Sequence, residues 1–357
     1  MKIGIFTPYL EGLTGGERYM LTLASCLSLH HCVFLFWDDL TILSRAEKKF
    51  AIDLSRVKIK QNIFSPSHSM FSRLFESKKY DAIIILSDGS LPFVWSKKLF
   101  VHFQFPVPWV HGISWINKIK THRITKVFCN SFYTKKYIDS TFEIKSEVIF
   151  PPIEIKKSNK KKENMILTVG RFGRTLEGNN YKKQDVMIEG FKVMIDQGLK
   201  DWTMTLAISV RKEDMARLND LKKLADGYSI HFAINPSNEI LWGLYNSAKI
   251  YWHASGYGED LDQHPEYAEH FGMTTVEAMG VGVVPVVINA GGQKEIVEHG
   301  KNGFLWDNLD NLQEYTRALI NDIRLMKSLS NQAEKRARVF SEKIFNNKVL
   351  ELFDEKN

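Results

Sequence analysis

The stretch PPIEIKKSNKKKEN, residues 151–164, divides this chain of 357 residues into two series of the same kind. Before it, KIGIFT leads through the loop PYLEGLTGG into ERYMLTLASCLSLH, and then into CVFLFW. Apolar residues at Tyr19, Met20, Leu23, Ala24 and Leu27 have helical spacing, whereas the flanking runs are short and almost continuously apolar. Strand, helix, strand in that order predicts a parallel sheet covered on both faces. DAIIIL, LFVHF and KVFCN continue the strands, and Ser131 opens a helix at SFYTKKYID. After two prolines and a lysine-dense linker the pattern restarts with MILTVG, VMIEGFKVMIDQG and MTLAISV, then SIHFAI, KIYWHAS and VVPVVI. The fold class expected is α/β, with two doubly wound Rossmann-like domains, 1–155 and 156–335. Residues 336–357 are expected to form a helix that packs back on the first domain. Ligands of such sheets bind beyond the carboxyl ends of the strands, so the two domains are expected to face a central cleft.

Composition bounds the partners. Hydrophobic residues make up 44% and charged residues 25%, the balance of a soluble globular chain. The net charge of +7 is uneven: residues 1–150 hold 20 lysines and arginines against 12 acids, the remainder 28 against 29. A basic first half suits an anionic partner such as a membrane surface. No window of 18 residues is uniformly apolar. Leu99–Ile116 comes nearest, with no Asp, Glu, Lys or Arg, but its two prolines, glycine and two histidines argue against a spanning helix. The apolar run in MKIGIFTPYL is too short for a signal peptide. Cys26, Cys32 and Cys129 show no metal-ligand spacing. A cytoplasmic protein, peripheral at the inner face of a membrane, is the expectation.

EHFGMTTVE places Glu269 and Glu277 eight positions apart around a Phe-Gly turn. Gly272, Thr274 and Thr275 read as a helix start and VEAMGVG as its body, with Glu277 in the first turn and Glu269 in the preceding loop. The free N–H groups and the dipole of a helix start suit a diphosphate. Carboxylates on either side of it suit hydroxyls, one set on a ribose and one on a sugar. Arg171 ends the strand MILTVG, and Lys182 and Lys183 follow. Guanidinium and ammonium groups there can clamp a departing diphosphate without a metal ion. Gly291 and Gly292 follow a strand, where backbone must approach a ligand closely.

From Met165 to Leu305 the chain resembles the nucleotide-binding domain of the family 4 glycosyltransferases, retaining transferases of the GT-B fold. The Glu-x7-Glu motif, the Arg and Lys pair, and GGQKEIVEHGKNGFLW carry the resemblance. TGGERYMLTLA extends it to the first half. The resemblance implies a nucleoside-diphosphate sugar as donor, with no cofactor or metal. It implies that Glu269 holds donor-sugar hydroxyls, Glu277 the ribose, and Arg171 with Lys182 the leaving diphosphate. Phe271, Gly272, Met273 and Thr274 would line the donor, and Gly15 and Gly16 would approach the diphosphate from the first domain. His102 matches an active-site histidine position facing the anomeric centre, with His111 the weaker candidate. The EHFG stretch resembles the mannosyltransferases of lipid-linked oligosaccharide assembly. That implies GDP-mannose ahead of a UDP-sugar, and a glycan or lipid-linked acceptor in cell-surface polysaccharide or lipopolysaccharide biosynthesis.

Two departures leave alternatives open. The loop between Arg171 and Lys182 is long and contains Arg174, so either Lys182 or Lys183 can be the phosphate contact. A second long stretch, GYGEDLDQHPEYA, precedes Glu269, and its Asp260 and Asp262 imitate the metal site of a different transferase fold. A nucleotide-sugar epimerase of the same fold and a non-catalytic sugar-nucleotide binder are the competing functions. A dinucleotide site fits poorly, because the glycines at 12, 15 and 16 do not form G-x-G-x-x-G. Nucleic acid is not an expected partner, since the aromatic segment carries no interleaved cations.

Overall fold

Seven parallel strands form the first sheet: β1 (Lys2–Phe6), β2 (Cys32–Phe36), β3 (Lys58–Lys60), β4 (Ala82–Leu86), β5 (Lys98–Phe103), β6 (Lys126–Cys129) and β7 (Glu147–Val148). Their order is β3-β2-β1-β4-β5-β6-β7. Six more form the second: β8 (Met165–Arg171), β9 (Thr203–Ser209), β10 (Ile230–Ile234), β11 (Ile250–His253), β12 (Val284–Ile288) and β13 (Phe304–Trp306), ordered β10-β9-β8-β11-β12-β13. In each sheet the first strand has neighbours on both sides, β2 and β4 about β1, β9 and β11 about β8. That is where strand order reverses and where a crevice opens. The computed structural model from which this is read describes residues 1–110, 115–173, 178 and 180–353.

The apolar runs are continuous because both faces of the first sheet are covered. Along β4, Ala82, Ile84 and Leu86 enter one hydrophobic cluster, while Ile83 and Ile85 enter another. β5 divides in the same way, with Phe100 in the first cluster and Leu99, Val101 and Phe103 in the second. The period-two alternation of a strand makes this division obligatory. The aromatic start of Leu99–Ile116 is therefore core rather than a surface segment. Further along it, Trp109 is exposed and its indole N–H donates to the Asp88 carbonyl at 3.1 Å. His111, Arg174 and the Trp115 side chain lie outside the described residues.

The chain divides into two units, Met1–Pro152 with Glu342–Asn357, and Ile153–Ser341. Ile153, at the entry to the second unit, forms a parallel bridge with Ser341 at its exit, and its N–H donates to Phe340 O at 3.0 Å. The helix Glu342–Phe353 then completes the first unit. Its apolar stripe Phe345, Val349, Leu352 and Phe353 has helical spacing and joins the cluster built on Ile3, Ile5 and Tyr19. Phe345 meets Tyr19 edge-on at 4.9 Å, and Phe353 lies 4.3 Å from Phe100. Among the described residues no helix is long and apolar enough to cross a membrane.

Because Phe345 is buried among side chains from the far end of the sequence, Phe345→Ala should cost about 3–5 kcal/mol of stability. Chemical denaturation should show the lowered midpoint. A shift corresponding to less than about 1 kcal/mol would mean that the first unit does not depend on this helix.

Candidate active site

The second unit gathers its polar residues at the carboxyl ends of β8 and β11, the two strands of its switch point. β8 delivers Arg171, which is exposed, and β11 delivers His253, which is buried. Between β8 and the helix Gln184–Asp196 the loop is closed by Gln184, whose amide donates to Arg171 O at 3.3 Å. Asn180 Oδ1 accepts the Lys182 N–H at 3.1 Å. This brings the Lys182 ammonium to 2.8 Å from Glu269 Oε2, with 16% and 22% of the two side chains exposed. The neighbouring Lys183 takes a left-handed φ of 55° and pairs with Glu259 at 2.6 Å. The two lysines thus have different partners: Lys182 sits with the motif glutamate, Lys183 with an acid of the GYGEDLDQHPEYA loop.

Glu269 Oε2 has a second neighbour, His253 Nε2 at 3.1 Å. The Ser255 N–H donates to His253 Nδ1 at 3.4 Å, which places the imidazole proton on Nε2, within reach of the carboxylate and of Ser255 Oγ at 3.2 Å. Burial lowers the His253 pKa, more than the Glu269 carboxylate raises it. Burial alone would raise Glu269, but Lys182 and the His253 hydrogen bond outweigh it and hold the carboxyl well below the usual range. Among the described residues Glu269 Oε1 accepts no hydrogen bond. One oxygen is pinned by two donors, and the other is left to accept from a ligand. Beside it, burial first, then the positive charges of Lys182 and Arg171, push His270 down to about 4.

The glycines after β12 make a close approach to another stretch of backbone. The Gly292 N–H donates to Glu269 O at 2.7 Å. A Cβ on Gly291 would lie 2.3 Å from Glu269 O, and one on Gly292 2.4 Å from Phe271 Cα. Both positions require glycine because two backbone segments touch there, and the contact fixes the Glu269–Gly272 loop. Gly272, at φ 115°, then starts the helix Met273–Gly280. The Thr275 and Val276 N–H groups both donate to Gly272 O, at 3.0 and 3.2 Å, and the N–H groups of Met273 and Thr274 precede these bonds. Thr274 Oγ1 is 2.8 Å from the Tyr251 hydroxyl. Phe271 is buried edge-on against Phe340 at 5.3 Å. Met273, half-buried, is the first residue of the helix.

Glu277 is the fifth residue of this helix, so it lies in the second turn and not in the first as the sequence suggested. The Tyr245 hydroxyl donates to its Oε2 at 3.0 Å. Asp260 accepts from the N–H groups of Asp262 and Gln263, both at 3.1 Å, and so closes its own turn. Sequence reasoning missed four residues here: His253, Tyr245, Glu259 and Gln293. The signal for His253 was its place at the end of KIYWHAS, but the pairing of β11 with β8 is not written in either strand. Gln293 is fully buried and both atoms of its amide lack a partner among the described residues, although buried polar groups are ordinarily paired. Its Nε2 would be 2.9 Å from a Cβ on Gly272.

The remaining candidates belong to the first unit. Gly15 and Gly16 begin the helix Gly15–Ser28, where Glu17 Oε2 accepts from the Thr14 N–H and hydroxyl, each at 2.6 Å. Gln104 Nε2 donates to Gly16 O at 3.0 Å. His102 shares the inward parity of Phe100 and is fully buried, its ring stacked between Tyr19 at 4.2 Å and Phe128 at 4.5 Å. Nδ1 lies 3.0 Å from Phe128 O and therefore carries the proton, while Nε2 has no partner among the described residues. Burial pushes its pKa down to about 3, against the carbonyl contact, which raises it.

With this geometry in view the comparisons are decisive for the family. Residues 151–336 match the family model described as "Glycosyl transferases group 1", which is more than half of the chain. The chain belongs to that family. The resemblance carried by the paired glutamates and the basic pair is thereby borne out, and the two parallel α/β units are those of a GT-B glycosyltransferase. Among curated relatives, a GDP-Man:Man(3)GlcNAc(2)-PP-Dol alpha-1,2-mannosyltransferase of Dictyostelium discoideum is 27% identical over 219 residues, covering 57% of this chain and 41% of the relative. The enzyme of the same description from Xenopus laevis is 24% identical over 205 residues, covering 52% and 39%. The matched stretch thus spans about two fifths of these relatives. Among solved structures, a glycosyltransferase from Rickettsia africae superposes with a TM-score of 0.76 at 19% identity, covering 99% of this chain and 98% of that one. HepE of Anabaena, solved with UDP, gives 0.70 at 19% identity, covering 98% and 99%.

The buried imidazole of His102 makes the fold acid-sensitive in a calculable direction. Its folded pKa lies below the unfolded value of about 6.5. The unfolded chain therefore takes up the proton first, and stability present above pH 6.5 is lost as pH falls toward 3. The loss approaches about 1.4 kcal/mol per pH unit for this one group. His102→Phe keeps a ring in the stack and removes the titration, so the stability difference between variant and parent should grow in the variant's favour on acidification. Parallel pH profiles of the two proteins would contradict the assignment.

Proposed function

We propose that this glycosyltransferase transfers mannose from GDP-mannose, with retention of configuration, to a hydroxyl of a lipid-linked glycan in the assembly of a surface polysaccharide. The observation that carries the reading is the state of Glu269: one oxygen is held by Lys182 and His253, and the other, which accepts no hydrogen bond among the described residues, lies just before the Met273–Gly280 helix start. A carboxylate held in this way accepts from sugar hydroxyls without rotating. Support for the donor comes from the two curated relatives, both named for GDP-mannose, and from the resemblance of the EHFG stretch to mannosyltransferases of lipid-linked oligosaccharide assembly.

In this reading the diphosphate sits at the Met273–Gly280 helix start, with the amides around Phe271, Gly272 and Met273 and the Thr274 hydroxyl about it. Arg171 and Lys182 neutralise the charge that builds on the leaving phosphate, and their positive charge does the work a divalent ion does elsewhere. Glu277, oriented by Tyr245, takes the ribose hydroxyls. In the first unit Gly15, Gly16 and His102 are the proposed donor-side residues, and His102 Nε2 has no hydrogen-bond partner among the described residues. Lys183, already paired with Glu259, steadies the loop. No carboxylate is assigned as a nucleophile. The acceptor hydroxyl attacks the face from which the phosphate leaves, and the departing phosphate oxygen takes its proton. The base is the open variable, since HepE was solved with UDP.

Arg171→Ala should lower the rate by roughly 10²-fold or more, and activity should persist in chelator. Abolition by chelator with recovery on manganese would instead implicate Asp260 and Asp262. Titration calorimetry with GDP and UDP reads the base, and GDP should bind more tightly. Proton NMR of the product should show the donor's anomeric configuration retained, and an inverted product would refute the mechanism.

A further inference from the structure

The first unit carries an exposed aromatic surface that the core does not explain. The helix Met70–Ser77 points Leu74 inward and leaves Phe71 and Phe75 outward, 68% and 63% exposed. Phe75 meets Trp95 edge-on at 6.0 Å, and Trp95 itself is 48% exposed. Trp95 is tied to the helix by its N–H, which donates to Ser77 Oγ at 2.8 Å. A third element completes the surface. Lys120, from the helix Trp115–His122, lies over the Phe93 ring at 4.7 Å, and its charge interacts with Arg73. Arg123 follows, donating to Ser96 O at 3.0 Å. Met70 and Ile119 are exposed on the same elements.

The charge around these rings has one sign. Residues 70–79, 91–98 and 115–123 hold eight lysines and arginines and a single acid, Glu76. Glu76 is paired with Lys79, and nearby Asp81 with Lys97. From these observations we infer that the surface made by Phe71, Phe75 and Trp95 with Arg73, Lys120 and Arg123 docks on an anionic lipid leaflet. Aromatic and aliphatic side chains enter the headgroup boundary while lysine and arginine heads remain among the lipid phosphates. A protein partner fits less well, because lysine is depleted from the centre of protein interfaces. A second copy would bring two cationic patches together. The inference places the membrane contact away from the buried β5 segment, and its purpose rests on the lipid-linked acceptor proposed above.

Flotation of the full chain with vesicles, in the absence of donor and acceptor, tests the docking separately from catalysis. Vesicles of phosphatidylcholine with phosphatidylglycerol should retain the protein, phosphatidylcholine alone should retain far less, and high salt should release it. Phe71→Ser with Phe75→Ser should weaken anionic-vesicle binding at least tenfold, while nucleotide binding and turnover on a soluble acceptor stay as in the parent. As a second measurement, a fluorophore at Phe71→Cys, in a chain carrying Cys32→Ser, should shift to the blue with anionic vesicles. Undiminished binding by the double variant, no binding by the parent, or an unshifted fluorophore would overturn the inference. So would a concentration-dependent dimer that the double variant abolishes. Loss of turnover on every acceptor with vesicle binding intact would count against the transferase mechanism alone.

Discussion

The contact on which the second unit depends is the one between Glu269 and its neighbours. A carboxylate that is only 22% exposed stays ionised because Lys182 stands 2.8 Å away and a neutral His253 donates to the same oxygen. Without those partners desolvation would favour the protonated acid, and a protonated Glu269 would be a poorer acceptor for hydroxyls. The backbone is held as firmly as the side chain, through Gly292 and the carbonyl of Glu269. Each holder comes from a different place: the loop after β8, the end of β11, the turn after β12. The site therefore exists only once the sheet has brought these three strand ends side by side.

The same parallel architecture explains the first unit. A sheet covered on both faces has to divide each strand between two cores, and one of those cores is finished by the last helix of the chain. Phe345 and Phe353 reach Tyr19 and Phe100, residues more than 200 positions earlier. The inward parity that buries Phe100 also buries His102, which is why a histidine can sit stacked between two aromatic rings with one nitrogen unpaired. Burial on that scale removes Leu99, Phe100, Val101 and Phe103 from any role at a surface. Among the exposed aromatics, Phe71 and Phe75 stand on the short helix Met70–Ser77 and Trp95 on the segment before β5.

Much was legible in order and spacing alone. Two alternating series with a linker between them require two doubly wound units, since runs as apolar as DAIIIL and VVPVVI are tolerable only between two layers of helices. The Glu-x7-Glu pair, Arg171 and Lys182 were readable as candidates because their charges and spacing about a helix start are local features of the sequence. The short strands β3, β7 and β13 and the helices Ile42–Phe50 and Met70–Ser77 were not, being too brief or too mixed to show a period.

What tertiary structure decided is what depends on residues distant in sequence meeting. Which of two adjacent lysines joins Glu269 was settled by a turn with a left-handed residue and by Glu259 taking the other. That Gly291 and Gly292 lie against the Glu269–Phe271 backbone was decided by the packing of two segments distant in sequence, and the turn occupied by Glu277 by where Gly272 starts the helix. His253 became a neighbour of Glu269 only through the pairing of β11 with β8. Sequence determines periodicity and charge because these are local. Pairing, parity and burial are properties of the assembled sheet, and they decided which of the candidate side chains stand together and which are enclosed.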